Sequence, residues 1–150
     1  METRARTGAD CKIVTSWIVD AADLYLFTGP RLTWPLQPND LQDMARTPGL
    51  TAWVVFDNST SSGIAGHFDL TLEDGSARLA RVIIDPAMRG RGVSHTLVVV
   101  AEEKARELGA TQLSLNVIDG NLPAVTTYEP AGSGGEHPNV QESSSMMLAL

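Results

Sequence analysis

The 150-residue sequence is poor in cysteine and in positive charge. Its single cysteine, Cys11, excludes an internal disulfide and a cysteine-rich zinc site, and it fits a reducing cytoplasm. Lysine and arginine together number 11 against 18 aspartates and glutamates, which gives a net charge of −7. Because nucleic-acid binding requires a basic surface, no nucleic-acid partner is expected, and cationic small molecules suit this chain better.

The sequence also lacks long hydrophobic runs. The first ten residues contain no continuous apolar region of the kind found in signal peptides. The apolar stretch 16–27 is interrupted by Asp20 and Asp23, so it is not expected to span a bilayer. His95 and His137 have no partners at metal-ligand spacing. We therefore expect a soluble cytoplasmic protein with neither a membrane partner nor a bound metal.

What is present indicates one globular domain. Hydrophobic residues make up 43% of the chain and charged residues 19%, which is enough for a core and too little charge for general disorder. Residues 1–10 are polar and are predicted to form a disordered tail. Residues 11–150 are predicted to form the single domain.

Hydrophobic periodicity predicts an alternation of helices and strands. The predicted helices cover 15–27, about 40–45, 93–108 and 122–129. The predicted strands cover 50–56, 64–72, 77–84, 111–117 and 146–150. Short links between the first three strands favour antiparallel pairing. This order is typical of an α+β domain with a mixed sheet.

The segment DPAMRGRGVS (85–94) links the strand 77–84 to the helix 93–108. A helix N-terminus presents free N–H groups, and glycines let a phosphate approach the backbone closely. Arg89 and Arg91 add positive charges that suit phosphate oxygens. No GK[ST] follows as in a Walker loop, and His95 stands where a dinucleotide fingerprint has its third glycine. The loop therefore favours pyrophosphate binding of another kind.

Together these features resemble the GNAT superfamily of acetyl-CoA-dependent N-acyltransferases. Arg89-Gly-Arg-Gly-Val-Ser94 is similar to the Arg/Gln-x-x-Gly-x-Gly/Ala signature of that superfamily, after a strand that ends in Asp-Pro. The segments AEEKARELGATQLSLNVIDGN and AVTTYE are similar to the helix, strand and tyrosine helix that follow in the family. The resemblance covers roughly residues 50–130, and it implies a single α+β domain with a mixed, mostly antiparallel sheet flanked by helices.

The resemblance implies a set of site residues that bind acetyl-CoA as co-substrate. Val82, Ile83 and Ile84 match the strand that pairs with the pantetheine arm, where an N–H helps to polarise the thioester carbonyl. The pyrophosphate loop comprises Arg89, Gly90, Arg91, Gly92, Val93 and Ser94. Asn121 matches an asparagine that touches the cofactor arm, and Tyr128 matches the tyrosine that protonates the departing thiolate as general acid.

Two departures from the family pattern matter. Asn116 stands where many relatives have a glutamate, so it can order water but cannot act as a base. AGS (131–133) replaces a typical LGF, which puts the C-terminal strand pair in question. The main hypothesis is an N-acetyltransferase acting on a primary amine of a small molecule or a peptide terminus. The alternative is a catalytically weak module that binds acyl-CoA as a sensor or partner domain. The acceptor, the base and a homodimer remain open.

Three other polar residues on the predicted strands are weighed as candidates. His67 is more typical of a packing or surface residue than of a base. Asp69 and Glu73 could face an amine but are more typical of ordinary solvated charges. The three tryptophans are interpreted as core or pocket-lining residues.

Overall fold

A computed structural model describes residues 2–28, 32–57, 63–118 and 143–150. The helices are α1 (Gly8–Ser16), α2 (Ala21–Thr28), α3 (Pro38–Met44) and α4 (Val93–Glu107). The strands are β1 (Glu2–Ala5), β2 (Leu50–Phe56), β3 (Ile64–Glu73), β4 (Ser76–Ile84), β5 (Gln112–Ile118) and β6 (Ser143–Ala149).

These strands form one six-stranded sheet in the order β1-β2-β3-β4-β5-β6. Every neighbouring pair is antiparallel except β4 and β5, which run parallel. The helix α4 makes the crossover between those two strands, as a parallel connection requires. The predicted α+β domain with a mixed, mostly antiparallel sheet is confirmed.

Helices cover both faces of the sheet. Successive strand residues point to opposite faces, so Val55 packs with α4 while its neighbour Val54 packs with α1, α2 and α3. On the α4 face the core is aliphatic, with Phe68 as the buried ring and Leu97 and Ala101 contributed by the helix. On the other face, called the α1–α3 face below, the helices contribute Val14, Phe27 and Leu41 among others.

The N-terminal segment differs from the sequence prediction. Residues 2–5 pair with β2 as an edge strand instead of forming a disordered tail. Thr7 then begins α1 through a capping box, in which Asp10 accepts a hydrogen bond from the Thr7 N–H at 2.8 Å. Because the partner strand lies some fifty residues away in the chain, a short polar segment showed no local sign of this pairing.

The single helix predicted over 15–27 is two helices. Asp20 accepts a hydrogen bond from the Asp23 N–H at 2.8 Å and so begins α2. The C-terminal strand pair left open by the sequence is present, since β6 pairs with β5 along its length. The helix predicted over 122–129 lies outside the described residues.

Candidate active site

The strands β4 and β5 separate along their second halves. Their parallel pairing joins 76–79 to 112–115, although β4 continues to Ile84 and β5 to Ile118. Over 116–118, β5 keeps its pairing with β6. The result is a gap in the sheet, with the backbone of 80–84 as one wall.

The backbone groups of Ile84 and Val82 point into this gap. The Asp85 N–H donates to the Ala65 carbonyl at 2.9 Å and therefore points towards β3. Because these groups alternate between the two sides of a strand, the N–H and C=O of Ile84 and Val82 point the other way. Consistently, Nε of Arg89 donates to the Ile84 carbonyl at 3.3 Å. The gap thus has a polar backbone edge that can pair with an extended ligand.

A β-bulge in β4 comprises Arg81 and Val82. His67 of β3 is opposite Ile83 while Asp69 is opposite Ala80, so β4 has one residue more than its partner here. Within the bulge, Arg81 has a φ of 50°, in the left-handed region that non-glycine residues rarely adopt. A bulge bends its strand and increases its twist, which fits the separation from β5 at this point.

Buried polar side chains surround the bulge on the α1–α3 face. The Arg81 guanidinium and the Asp69 carboxylate form a two-pronged pair, with Nε facing Oδ2 and Nη2 lying 3.0 Å from Oδ1. Nη1 of Arg81 also lies 3.3 Å from the Thr28 hydroxyl at the end of α2. Both members of the pair are almost fully buried. The pair therefore ties the bulge to β3 and to α2.

His67 lies beside this pair and is fully buried. Its Nδ1 is 2.8 Å from the Arg81 carbonyl oxygen, and its Nε2 is 3.0 Å from Nη1 of Arg6. Burial, followed by the positive charge of Arg6, lowers the pKa of His67 to about 3. The ring is therefore neutral near pH 7, and both of its nitrogens are engaged.

The glycine–arginine loop (residues 89–94) follows at the end of the gap. A short 3₁₀ turn (Pro86–Met88) begins where the Asp85 side chain accepts from the Ala87 N–H at 2.9 Å. Gly90 and Gly92 then have φ values of 79° and 78°. Glycine adopts such angles without the penalty that a side chain incurs, so the two residues allow the turn that leads into α4.

The first turn of α4 lies next to this loop and produces a positive electrostatic potential there. Gly92 is its N-cap and contributes no side-chain acceptor, and the turn contains no acidic residue. The first N–H groups of a helix have no intrahelical partner and carry partial positive charge. Arg89 and Arg91 lie exposed immediately before them. An anionic group such as a pyrophosphate fits this combination of donors and charges.

The structure brings most of the sequence-predicted cofactor residues to one end of the sheet. Val82, Ile83 and Ile84 form the edge of the gap, and the loop 89–94 follows it directly. Asn121 and Tyr128 lie outside the described residues, so their predicted roles stay predictions. For Asn116 the structure describes the backbone, which pairs with Ser145 of β6.

The structure corrects one of the weaker candidates and identifies two residues that the sequence analysis missed. Asp69 is not a solvated charge but a buried partner of Arg81, whereas Glu73 is exposed as expected. His67 packs in the interior. Arg6 and Arg81 were not singled out. An arginine between apolar residues of a strand, as in LARVII, is a signal that could have found Arg81.

Two further observations concern ligands and membranes. Within residues 2–28, 32–57, 63–118 and 143–150, no three His, Cys, Asp or Glu side chains are grouped so that they could hold a metal ion. Among the helices in that part of the chain, none is long and apolar enough to cross a membrane.

Comparison with known proteins gives consistent results. The model of the "Acetyltransferase (GNAT) family" matches residues 17–132. The chain is 30% identical over 95 residues to the uncharacterized N-acetyltransferase YjgM of Escherichia coli, covering 63% of this chain and 57% of that protein. It is 33% identical over 76 residues to the acetyltransferase Atu2258 of Agrobacterium fabrum, covering 51% of each. The chain thus spans little more than half the length of these relatives.

Solved structures share the fold at lower identity. Spermidine N-acetyltransferase from Vibrio cholerae, in complex with CoA and spermine, has a TM-score of 0.76 at 19% identity, with coverage of 99% of this chain and 94% of that chain. A domain from Methanocaldococcus jannaschii has a TM-score of 0.76 at 13% identity, covering 99% and 97%. Both agree with the sheet and helices described above.

Proposed function

Because the chain belongs to the GNAT family of acetyltransferases, we propose that it transfers an acetyl group from acetyl-CoA to a primary amine. The observation that carries this proposal is the gap between β4 and β5, which leads directly to the glycine–arginine loop. One end of this site suits an extended arm with amide groups, and the other suits a pyrophosphate.

The described residues fit acetyl-CoA in both parts. The pantetheine arm contains amides that can pair with the backbone edge at Val82 and Ile84, as a strand would. The pyrophosphate suits the N-terminus of α4 with Arg89 and Arg91 beside it. In an otherwise acidic chain this is a local concentration of positive charge.

The chemistry requires little covalent participation by the protein. The amine nitrogen bonds to the thioester carbon, the carbon–sulfur bond breaks, the nitrogen loses a proton, and the sulfur gains one. A backbone N–H of β4 directed into the gap stabilises the negative charge that builds on the carbonyl oxygen. We assign the proton donor to Tyr128 and a contact with the cofactor arm to Asn121, both on the family resemblance.

His67 is not the base that deprotonates the amine. It is fully buried, both of its nitrogens are engaged, and its pKa is lowered to about 3. At neutral pH the ring is uncharged, but the partners of its ring nitrogens are Arg6 and the Arg81 carbonyl, not solvent. The proton of the amine therefore leaves by another route.

A cationic small molecule is the acceptor class that the proposal favours. A net charge of −7 attracts amines in their protonated form. A solved structure with the same fold is a spermidine N-acetyltransferase bound to CoA and spermine, which supports a polyamine or a similar amine over a peptide terminus. The cytoplasmic location stays a prediction from the sequence.

An amine-panel assay with acetyl-CoA tests this function by the release of free thiol. We expect transfer to at least one polyamine or small amine. Tight binding of acetyl-CoA without transfer to any amine would favour the sensor alternative. That alternative agrees with Asn116, which cannot act as a base.

The loop has a separate test. Gly92→Glu places bulk and negative charge at the loop, so calorimetry should show that CoA binding is abolished. A folded Gly92→Glu protein with unchanged affinity would contradict the assignment of the loop.

The role of Tyr128 has its own test. Tyr128→Phe removes one hydroxyl and should leave CoA affinity nearly unchanged. If the hydroxyl protonates the sulfur, kcat should fall by about 10²–10⁴-fold, as is typical for the loss of a general acid. Wild-type turnover in this variant would assign the proton to solvent or another group.

A further inference from the structure

A chain of hydrogen bonds connects the N-terminal segment to the bulge in β4. Arg6, just after β1, donates its backbone N–H to the Ala52 carbonyl at 2.9 Å and its Nη2 to the Leu41 carbonyl at 2.8 Å. Its Nη1 lies 3.0 Å from Nε2 of His67. The guanidinium is thus held between α3 and β3, facing the imidazole.

These contacts select one tautomer of His67. A guanidinium has donors and no acceptor, so Nε2 of His67 must accept from Arg6. The proton of the neutral ring is then on Nδ1, which lies 2.8 Å from the Arg81 carbonyl and donates to it. A ring protonated on both nitrogens could not accept from Arg6, in agreement with the low pKa of His67.

The carbonyl that receives this hydrogen bond belongs to the same peptide group as the Val82 N–H. A trans peptide is planar, with its C=O and N–H pointing in opposite directions. Fixing the Arg81 oxygen against the His67 ring therefore also fixes the Val82 N–H, which points away from that ring. The alternation along β4 places this N–H on the side of the gap. The direction needs fixing because Arg81 has a φ of 50°, which is unfavourable for a residue with a side chain.

The geometry points to Arg6 and His67 as positioning residues that aim the Val82 N–H at the reacting carbonyl. This inference rests on the proposed function, in which a β4 N–H receives the thioester oxygen. Neither side chain touches the substrate. Arg6 acts through His67, and His67 acts through the Arg81–Val82 peptide.

The tautomer can be measured without any ligand. In a ¹⁵N spectrum of protein labelled in histidine, with His67→Asn used to assign the signal, we expect His67 to carry its proton on Nδ1. In Arg6→Met the Arg81 carbonyl still holds the proton on Nδ1, so that tautomer should persist, while the Nε2 resonance should shift because its hydrogen bond is lost. A wild-type ring protonated on Nε2 would overturn the inference.

Two substitutions of His67 separate positioning from packing. The amide nitrogen of asparagine reaches the place of Nδ1 and can still donate to the Arg81 carbonyl. The longer glutamine places its amide near the Nε2 position and leaves that carbonyl without its donor. We expect His67→Asn to keep kcat close to wild type and His67→Gln to lower it by roughly 10- to 100-fold, the effect of a slight misplacement of a reacting group. CoA affinity should be unchanged in both, and equal kcat values would overturn the inference.

Arg4→Met is the matched control for Arg6→Met. Arg4 is two residues earlier and pairs with Asp10 at 2.6 Å, so its loss also destabilises the N-terminal segment. Within the described residues Arg4 has no hydrogen bond to His67. We expect Arg6→Met alone to lower kcat, measured well below the unfolding temperature of each variant. An equal loss of kcat in both variants would mean that the N-terminal segment matters only for stability.

The outcomes also separate this inference from the proposed function. If the wild type neither binds CoA nor transfers acetyl groups, the proposed function fails, while the tautomer measurement still decides the contact between His67 and the peptide. If the wild type is active and the His67 and Arg6 variants keep its kcat, only the positioning inference fails.

Discussion

The two faces of the sheet are both covered by helices, yet their interiors differ. The α4 face buries aliphatic side chains around Phe68. The α1–α3 face buries His67, Asp69 and Arg81 beside its hydrophobic residues. Apolar burial stabilises a fold roughly in proportion to area, whereas a buried ion pair often contributes little to stability after its desolvation cost. The comparison indicates that the α4 face supplies stability and the α1–α3 face supplies geometry.

The position of the polar groups supports that division of roles. They contact β4 where its pairing with β5 has ended and where the bulge begins. The fully paired part of β4 has Leu79 in the aliphatic core instead. The polar side chains thus lie where a strand must take a conformation that hydrophobic packing alone does not specify.

The largest expected effect comes from breaking the buried pair. Asp69→Leu leaves the Arg81 charge buried without this partner and should lower the free energy of unfolding by about 3–5 kcal/mol. The double variant Asp69→Leu/Arg81→Met should regain most of that stability, because both charges are gone. Its acetyl-transfer rate should nevertheless stay low, since the bulge has lost the Arg81 side-chain contacts with Asp69 and Thr28. Urea unfolding and kcat measure the two effects, and full activity in the double variant would refute the division between the faces.

On the α4 face we expect the opposite combination. Leu79 lies two residues before Arg81 and is buried, so Leu79→Ala should lower the free energy of unfolding by about 2–5 kcal/mol. Turnover per folded molecule should remain that of the wild type, because the bulge and its contacts are intact. A large fall in kcat at a temperature where the variant is folded would show that this face also sets the geometry.

The smallest effect concerns acid stability. The pKa of His67 is about 3 in the folded protein against an ordinary value of 6.5. Between these two values the unfolded chain therefore binds more protons than the folded protein. The contribution of His67 to the free energy of unfolding is fully present above pH 6.5 and falls as the pH drops towards 3. At pH 5 the loss is about 2 kcal/mol, at about 1.4 kcal/mol per pH unit.

His67→Asn should remove this dependence. Urea unfolding at pH 7 and pH 5 should show the variant losing about 2 kcal/mol less than the wild type over that interval. The Asp10 carboxyl does not interfere. Burial opposes the shift, but hydrogen bonds with Arg4 and Thr7 together outweigh it and lower the pKa of Asp10 from an already acidic 3.8. Parallel curves for the two proteins would mean that His67 is not held neutral by burial.

Several parts of this structure could be predicted from local sequence. The strand over 50–56 has the predicted limits, and α4, β3 and β4 each differ from the prediction by a single residue. Alternating or 3.6-residue hydrophobic patterns specify such elements within the segment itself. The glycine–arginine loop could also be predicted from local sequence, because the positive φ values at Gly90 and Gly92 favour glycine.

The N-terminal strand, the Arg81 bulge and the contacts of His67 could not be predicted in this way. Each depends on a partner far along the chain, as Arg6 and His67 are 61 residues apart. An arginine with positive φ has no sequence signature, because the conformation is imposed by the register of β3 against β4. The sequence by itself determined most of the helices and strands, the loop and the family. The tertiary structure alone decided which polar groups are buried, and thereby the protonation of His67 and the direction of the Val82 N–H, because burial and hydrogen-bond partners arise only when distant segments meet.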